Sequence, residues 1–461
     1  MADVLIMAAG LGTRMKSRRA KVLHEVAGRP LIKHVVRAAL GLHPEKLIVV
    51  VGHQSGDVER AVREEAAARA ERAEYGSDLV FVSQSDQRGT GHAVMSAREV
   101  LRDRRGSVVI LAGDGPMLKT ATLSRLVETH RSEKNDATLL TVCLPDPTGY
   151  GRIIRDSEGC FVGTVEQRDA SAHQMTIDEV AVSIYCFEIP ALLSALEELT
   201  TDNAQGEYYL TDVPGIIQGR GGRAGTMLYS DYEEVLGINT RVELAEMERK
   251  LRQTKIRELM LAGVTIMDPA ATYIQADVEI GPDTVIHPQV IIEGASRIGS
   301  GTVIHSWCFL KNADIGDEVI VKNSCVIEDT VIESHASVGP FARLRMQAEI
   351  GEEAVIGNFV EVKKSKVGAK SKAQHLAYLG DAAIGERVNI GAGVITCNFD
   401  GERKHKTAIE DGAKIGSDTM LVAPVRVGRG AVTGAGSVVI RDVPEGALVV
   451  GVPAIVKKKP K

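Results

Sequence analysis

From Ile280 to Val439 an aliphatic residue recurs at every sixth position, a spacing that neither an α-helix at about 3.6 residues per turn nor an alternating strand produces. The first run is Ile280, Ile286, Ile292, Ile298, Ile304 and Leu310, with small or branched residues four places later at Thr284, Val290, Ser296, Thr302 and Cys308. After a phase slip come Ile315, Val321 and Ile327, then Ile332, Val338, Leu344, Ile350, Ile356 and Val362. The spacing resumes at Ile384 and Ile390 and again at Ile409, Ile415, Leu421 and Val427. Such a repeat predicts a parallel β-helix. Each six-residue unit lays down one short strand with one aliphatic side chain inward, three units close a triangular coil, and stacked coils bury what a single coil cannot. Glycines beside the inward positions, at Gly281, Gly299, Gly316 and Gly351, are expected to serve tight bends. The narrow interior favours aliphatics, in keeping with an aromatic content of only 4%.

The N-terminal half has a different texture. Apolar runs at Val4 to Met7, Leu47 to Val51, Leu79 to Val82, Val108 to Leu111 and Thr138 to Val142 alternate with helical stretches such as Leu31 to Leu40 and Val58 to Ala73. That alternation predicts a doubly wound, Rossmann-like α/β domain, whose ligands bind beyond the carboxyl ends of the strands. Between the halves, Thr240 and Glu243 form a capping box, Leu244, Met247 and Leu251 recur at helical spacing, and Gly263 can close the helix. The expected organisation is an N-terminal domain over 1–239, an exposed linker helix over 240–262 and a β-helix over 263–461.

Within the β-helix the repeat reads as interrupted between Val367 and Ile384 by an insertion carrying Ser371 to Asp381. An insertion in a solenoid projects from a face, and loops on rigid scaffolds carry function. A lone histidine is ordinarily a surface or packing residue, but His375 sits in this break. Arg343 and Lys363 fall on the preceding coils, and Asn389, Asn398 and Lys404 on the following ones. Residues about 18 apart stand in register on neighbouring coils, so these basic groups suit a phosphate.

Composition narrows the class. A net charge of −6 gives no nucleic-acid footprint. No apolar run approaches the roughly 20 residues of a membrane span, and Met1 to Gly10 lacks the basic flank of a signal peptide, so a cytoplasmic location is expected. The six cysteines, Cys143, Cys160, Cys186, Cys308, Cys325 and Cys397, show no CxxC spacing and are expected in core packing.

The first strand runs into Gly10-Leu11-Gly12-Thr13-Arg14-Met15. Gly10 and Gly12 let backbone N–H groups turn toward an anion, while Arg14 and Lys21 supply mobile positive charge for polyphosphate. The spacing is not that of a Walker loop, and a strand–turn–helix corner favours glycine in any case. Asp114, in Gly113-Asp114-Gly115-Pro116, follows the run Val108 to Leu111. Its carboxylate is placed either to cap its own turn or to bind a cation. Mg²⁺ takes few protein oxygens and completes its octahedron with water and phosphates, so a single carboxylate at a strand end can serve as one of its ligands.

The string Ala8-Ala9-Gly10-Leu11-Gly12-Thr13-Arg14-Met15, with Lys21-Val22-Leu23 beyond it, resembles the opening signature of sugar-1-phosphate nucleotidyltransferases. The strings Gly89-Thr90-Gly91-His92-Ala93, Gly149-Tyr150-Gly151-Arg152, Gly206 to Asp212 and Gly237-Ile238-Asn239 agree with it in order. With a hexapeptide β-helix behind them, the chain resembles, end to end, the bacterial family of bifunctional N-acetylglucosamine-1-phosphate uridyltransferases and glucosamine-1-phosphate N-acetyltransferases. The resemblance implies a left-handed β-helix, an exception to the right-handed crossover rule. It also implies two reactions that yield UDP-N-acetylglucosamine, a precursor for cell wall and lipopolysaccharide. In the first, acetyl-CoA acetylates glucosamine 1-phosphate; in the second, the product's phosphate attacks the α-phosphorus of UTP and displaces pyrophosphate.

For uridylyl transfer the resemblance implies Arg14 and Lys21 as catalytic cations. Met7, Ala8, Ala9, Gly10, Gln84, Gly89 and Thr90 would contact nucleotide, Gly151 and Glu166 sugar, Asn239 substrate, and Asp114 with Asn239 Mg²⁺. For acetyl transfer it implies His375 as general base, a task an imidazole near pKa 6.5 suits. Arg343, Lys363, Tyr378 and Asn389 would bind the sugar phosphate, and Ala392, Asn398, Phe399, Ser417 and Ala435 the coenzyme. It further implies a homotrimer with acetyl-transfer sites between neighbouring prisms.

Four positions depart from the family pattern: Ala20 for Pro, Ala181 for Asn, Phe399 for Tyr and Gly451 for Arg. A lost amide at Ala181 weakens sugar-nucleotide binding unless a neighbour such as Ser183 compensates. The tail Lys457 to Lys461 is either a solvated terminus or a contact for coenzyme phosphates. Two rival classes carry less of this pattern: a nucleotidyltransferase whose β-helix serves only regulation or assembly, and a non-catalytic scaffold.

Overall fold

The computed structural model describes residues 2–70 and 78–458. By its internal contacts the chain divides into Met1–Glu248 and Arg249–Lys461, and the division falls inside one helix, Arg241–Leu261.

In the first unit a mixed sheet runs in the order Ala224–Leu228, Ala137–Cys143, Glu179–Glu188, Ser107–Ala112, Asp3–Ala8, Lys46–Val51, Asp78–Ser83. All neighbours are parallel except Glu179–Glu188, which is antiparallel to both strands it separates. The central strands are buried on both faces, which is why they read as unbroken apolar runs rather than as alternation. Each of the five strands expected from those runs is present. The helix expected from Val58 onward spans Ser55–Ala70, and residues 71–73 of that expectation lie outside the described residues. The chain leaves Asp3–Ala8 toward Lys46–Val51 on one side and returns to pair Ser107–Ala112 on the other. Such a reversal opens a crevice at the carboxyl ends of the two strands, where the Gly10 loop and Asp114 emerge.

In the second unit the inward positions of the six-residue repeat are buried except for the partly open Ile280, with Ile286, Ile292, Ile304, Leu310, Val321, Ile327 and Val338 at 0% exposure. Strand pairing is parallel between coils, as Ile298↔Ile315, Ile315↔Ile332 and Ile332↔Ile350 illustrate, so the fold is a β-helix. The coils are not of one length. The first two of those pairings span one residue fewer than the third, because one unit in the shorter coils lacks a residue, and this is the origin of the phase slips.

The interruption expected between Val367 and Ile384 is absent. Ala373 and Leu379 occupy inward positions there at 0% exposure, and Lys372–His375 and Tyr378–Gly380 are ladder strands. Alanine at an inward place concealed the beat. The true insertion lies in 398–406, where a single coil stretches from Ile384 to its partner Ile409. This excursion is held by its own bonds: Asp400 Oδ1 accepts the Glu402 and Arg403 N–H groups, and Asp400 Oδ2 lies 2.6 Å from His405 Nε2.

The glycine expectation also changes. The left-handed corner conformation falls mainly on non-glycine residues three places after inward ones, among them Asp283, Trp307, Phe341, Phe359 and Leu376. Gly281 and Gly316 are needed for a different reason: a Cβ there would come within 2.8 and 2.7 Å of backbone nitrogens on the next coil. Close stacking, not bending, excludes larger residues.

Helix Arg241–Leu261 starts from its capping box, with the Glu243 N–H donating to Thr240 Oγ1 at 3.2 Å. It ends in a Schellman motif, Val264 N–H to the Leu259 carbonyl and Gly263 N–H to that of Met260, with Gly263 at φ +96°. Its surface is mixed rather than wholly solvated, since Met247, Ile256 and Leu259 are buried. Cys186, Cys308 and Cys325 are core residues as expected. Cys143 and Cys160, however, are exposed near strand ends and Cys397 is half-buried. The strand Ile455–Lys458 pairs back on Leu448–Val450, and residues 459–461 of the basic tail lie outside the described residues. No helix among the described residues is long and apolar enough to cross a membrane.

Candidate functional site

At the carboxyl ends of Asp3–Ala8 and Ser107–Ala112 a cleft of about 430 Å³ opens. It brings together Met7, Ala8, Ala9, Gly10, Arg14, Lys21, Gln84, Gly89, Thr90, Asp114, Gly151, Glu166 and Asn239. Positions from the first strand to the foot of the linker helix therefore share one cavity.

The loop after the first strand tightens into a 3₁₀ turn at Thr13–Met15, entered through Gly12 at φ +60°. A Cβ on Gly12 would lie 2.5 Å from Lys21 Cβ, so glycine lets the loop pack directly on the lysine. The Lys21 ammonium is in ion-pair contact with Asp114 and donates to Asn239 Oδ1 at 3.1 Å. Arg14 Nη2 donates to the same Oδ1 at 2.8 Å. Two oxygens, one of them anionic, thus converge on one cation. Asn239 is oriented by the neighbouring helix, since Glu243 Oε2 accepts its backbone N–H at 2.7 Å. Gly237 completes the fit, because a Cβ there would meet Asp114 Oδ1 at 2.6 Å.

At one end of the cleft Gln84 is buried, with Nε2 3.0 Å from His92 Nδ1 and 3.4 Å from the Gly89 carbonyl. Thr90 Oγ1 accepts the Leu210 N–H at 3.1 Å. At the other end Glu166 Oε1 accepts from Thr211 Oγ1 at 2.8 Å, and burial raises the Glu166 pKa above the usual carboxylate range. Burial also pushes the Tyr150 hydroxyl up to about 12, leaving it a neutral donor. Ala181 and Ser183 line the same wall on a β-bulge, where Ser183 takes φ +57°. Ala181→Asn would restore an amide facing the cleft and should lower KM for the sugar phosphate roughly two- to tenfold. Steady-state kinetics reads this directly, and an unchanged KM would exclude a binding loss at this position.

In the β-helix, His375 ends a ladder strand instead of riding on a projecting loop. Asn358 pairs with it from the preceding coil, and His375 Nδ1 lies 2.9 Å from Asn358 Oδ1. With that amide oxygen accepting, Nδ1 carries the proton and Nε2 keeps its lone pair. Around the next corner Tyr378 follows, in register with Glu361 and Arg343 on the coils before. Lys363 is buried and lies 3.8 Å from Asp381 Oδ2, which also accepts from Asn398 Nδ2 at 2.5 Å; the Tyr378 hydroxyl is 3.5 Å from that amide. The Lys363 ammonium beside Lys404 pushes the Lys404 pKa down, so two cations stand close together with less than a full set of counter-charges. This arrangement suits a dianionic phosphate.

Asn389 lies on the coil after His375, paired with Lys372 and Lys414. Three places on, Ala392, Ser417 and Ala435 form one column, linked by Asp418 N–H to the Ala392 carbonyl at 2.7 Å and Gly436 N–H to that of Ser417 at 2.8 Å. Gly451 continues the column through the pairing Val432↔Leu448. Phe399 is exposed on the 398–406 excursion and bridges to Lys404. Sequence reading missed Asn358 and Asp381 as neighbours of these groups. The signal was there: Asn358 stands one coil before His375, and Asp381 one coil after Lys363, both residues already singled out.

Residues 4–157 match the family described as the MobA-like NTP transferase domain. Over 446 residues the chain is 48% identical to the bifunctional protein GlmU of Heliobacterium modesticaldum, covering 97% of this chain and 94% of that protein. It is 44% identical to the proteins of the same name from Shouchella clausii, covering 96% of this chain and 95% of that one, and from Koribacter versatilis, covering 97% and 94%. Fold and cleft define a nucleotidyltransferase fused to a hexapeptide β-helix acyltransferase. More narrowly, the chain belongs to the family of bifunctional GlmU proteins. Its activity is the two-step synthesis of UDP-N-acetylglucosamine, by acetyl transfer from acetyl-CoA to glucosamine 1-phosphate and uridylyl transfer from UTP.

Proposed function

We propose that the cleft of the first unit performs the uridylyl transfer and the His375 region of the second the acetyl transfer. The observation that carries this division is the gathering of thirteen expected residues in one 430 Å³ cleft. Backbone amides of the Gly10 loop, Arg14 and Lys21 bind the UTP phosphates, and Arg14 and Lys21 neutralise charge as pyrophosphate leaves. No protein nucleophile is required, because positioning and electrostatics carry phosphoryl-type transfers. Gln84, Gly89 and Thr90 receive the uracil end; Gly151 and Glu166 receive the sugar.

Asp114 and Asn239 fit Mg²⁺. Their oxygens already converge on one cation, the Lys21 ammonium, and hard oxygen donors suit that metal. When bound, it would neutralise phosphate charge.

In acetyl transfer, His375 Nε2 takes a proton from the amine of glucosamine 1-phosphate as the nitrogen attacks the thioester carbonyl; the C–S bond then breaks and the imidazolium returns that proton to the sulfur, so coenzyme A leaves as the thiol and the base is regenerated. Arg343, Lys363 and Lys404 hold the sugar phosphate with Tyr378 and Asn389. The column Ala392, Ser417, Ala435 takes the coenzyme, flanked by Asn398 and Phe399.

The assembly is a homotrimer. His375 adjoins a corner column of exposed apolar residues, Trp307, Phe341, Phe359 and Leu376, in which the rings of Phe341 and Phe359 stack with centroids 5.2 Å apart. An apolar edge of this kind is covered most simply by another copy of the chain. Light scattering should give three times the 49.4 kDa chain mass, and a monomer would reject the assembly. Reliance on UTP and acetyl-CoA as substrates supports a cytoplasmic location. The whole reading is tested by incubating the protein with glucosamine 1-phosphate, acetyl-CoA, UTP and Mg²⁺, omitting each in turn and identifying products by mass. Acetylation without UTP or Mg²⁺, and nucleotide formation only with both, is the expected pattern. Failure to acetylate would favour a β-helix used for assembly alone.

A further inference from the structure

Arg152 opens the strand Arg152–Arg155 and is 1% exposed, one of the largest side chains wholly shut off from solvent. A buried guanidinium is costly unless an anion compensates its lost hydration. Its hydrogen-bond partners here are neutral. Nη1 donates to the Tyr150 carbonyl, Nη2 reaches Gln167 Oε1 at 3.5 Å, and Nε has no partner. Gln167 Oε1 also accepts the Gly149 N–H. Together Arg152 and Gln167 therefore pin the turn Gly149-Tyr150-Gly151, in which Gly149 takes φ +90°. The turn lines the cleft, and a Cβ on Gly151 would lie only 3.3 Å from Glu166 Oε1.

We propose that Arg152 is a positioning residue for the sugar phosphate in uridylyl transfer: its guanidinium fixes the Gly149–Gly151 turn and holds positive potential behind Glu166, which meets the sugar hydroxyls as an anion. This rests on the assignment of Gly151 and Glu166 to the sugar end. The electrostatic surroundings of Glu166 call for such a group. Burial raises its pKa, and Asp169 and Glu207 push in the same direction, while the Thr211 hydroxyl and then Arg152 oppose them. Asp212, raised to about 6 by burial and by Glu166, and the buried Tyr185 face the same carboxylate. A side chain serving only to fill space there would do so at less cost as an apolar one.

The test uses full-length Arg152→Gln, Arg152→Lys and Gln167→Ala, with KM for N-acetylglucosamine 1-phosphate and for UTP measured across pH. Arg152→Gln should raise the sugar-phosphate KM roughly tenfold or more and leave the UTP KM within about twofold. Removing the cation raises the Glu166 pKa further, so the acid limb of kcat/KM for the sugar phosphate moves to higher pH. Arg152→Lys keeps the charge without the fork: its acid limb stays in place while KM rises. Gln167→Ala, a half-buried position, should raise the sugar-phosphate KM without moving the acid limb. Unchanged sugar-phosphate KM and acid limb in Arg152→Gln, or equal losses for both substrates, would overturn the proposal. If neither Arg152 variant folds, an unchanged KM in Gln167→Ala rejects it. Glu166→Gln separates the two readings, since an unchanged sugar-phosphate KM there refutes the sugar-end assignment itself.

Discussion

Replacing His375 with alanine should lower acetyl transfer by roughly 10²–10⁴-fold, the span of a general base, and leave uridylyl transfer within about twofold. The argument is geometric. His375 is exposed, its Nδ1 is engaged by Asn358 Oδ1, and Nε2 is left as the basic atom. Because His375 is exposed, losing its side chain leaves the core packing intact, and the cleft belongs to the other compact unit. Asn358→Ala should give a smaller loss, about 10–100-fold, because the imidazole remains while its tautomer and orientation are no longer fixed. Thiol release with acetyl-CoA and glucosamine 1-phosphate measures the first reaction, and pyrophosphate release from UTP the second. Retained thiol release in His375→Ala would remove the residue from the role of base.

That ordering of effects depends on where His375 sits, and the six-residue beat located it for a reason that proved mistaken. The expected break was an alanine, Ala373, at an inward place. Periodicity read through aliphatic side chains loses the signal wherever the interior narrows to a methyl group, although the backbone ladder continues. The inward stack itself was legible because burial imposes one residue class at one spacing. Corner conformation was not: Trp307, Phe359 and Leu376 adopt positive φ without being Gly, Asn or Asp, so neighbouring coils impose what local propensity disfavours.

The cleft divides in the same way. Gly12, Lys21 and Asp114 were readable as chemistry from residue type and context, and Asn239 through the family resemblance. What joined them, the contact of Lys21 with both Asp114 and Asn239, is long-range and leaves no spacing in the sequence. Gln167 escaped, and Arg152 and Thr211 stood in recognised strings without a role, for a related reason: their neighbours come from other strands and turns, and a buried arginine looks like any other until its solvent exposure is known.

Lys21 is the second residue whose loss should be severe. Under the proposed function it has two positions to fill: beside Asp114 and Asn239 in the free protein, and against phosphate when nucleotide is bound. Removing a preorganised cation from developing charge costs about 10²–10³ in rate, so Lys21→Met should lower uridylyl transfer by that factor while acetyl transfer persists. The same substitution has an opposite consequence for metal. With the ammonium gone, Asp114 is left in a largely buried place without its counter-charge, and a divalent cation no longer has to displace one. Mn²⁺ binding to the nucleotide-free protein, followed by electron paramagnetic resonance, should therefore tighten, by about tenfold for ~1.4 kcal/mol of relieved competition. Arg14→Met should not reproduce this, since Arg14 reaches Asn239 but makes no ion pair with Asp114 among the described residues. Slower catalysis with tighter metal binding is a pair of results that simple damage to the cleft does not produce. Weaker or unchanged Mn²⁺ binding in Lys21→Met would mean that lysine and metal do not share these oxygens.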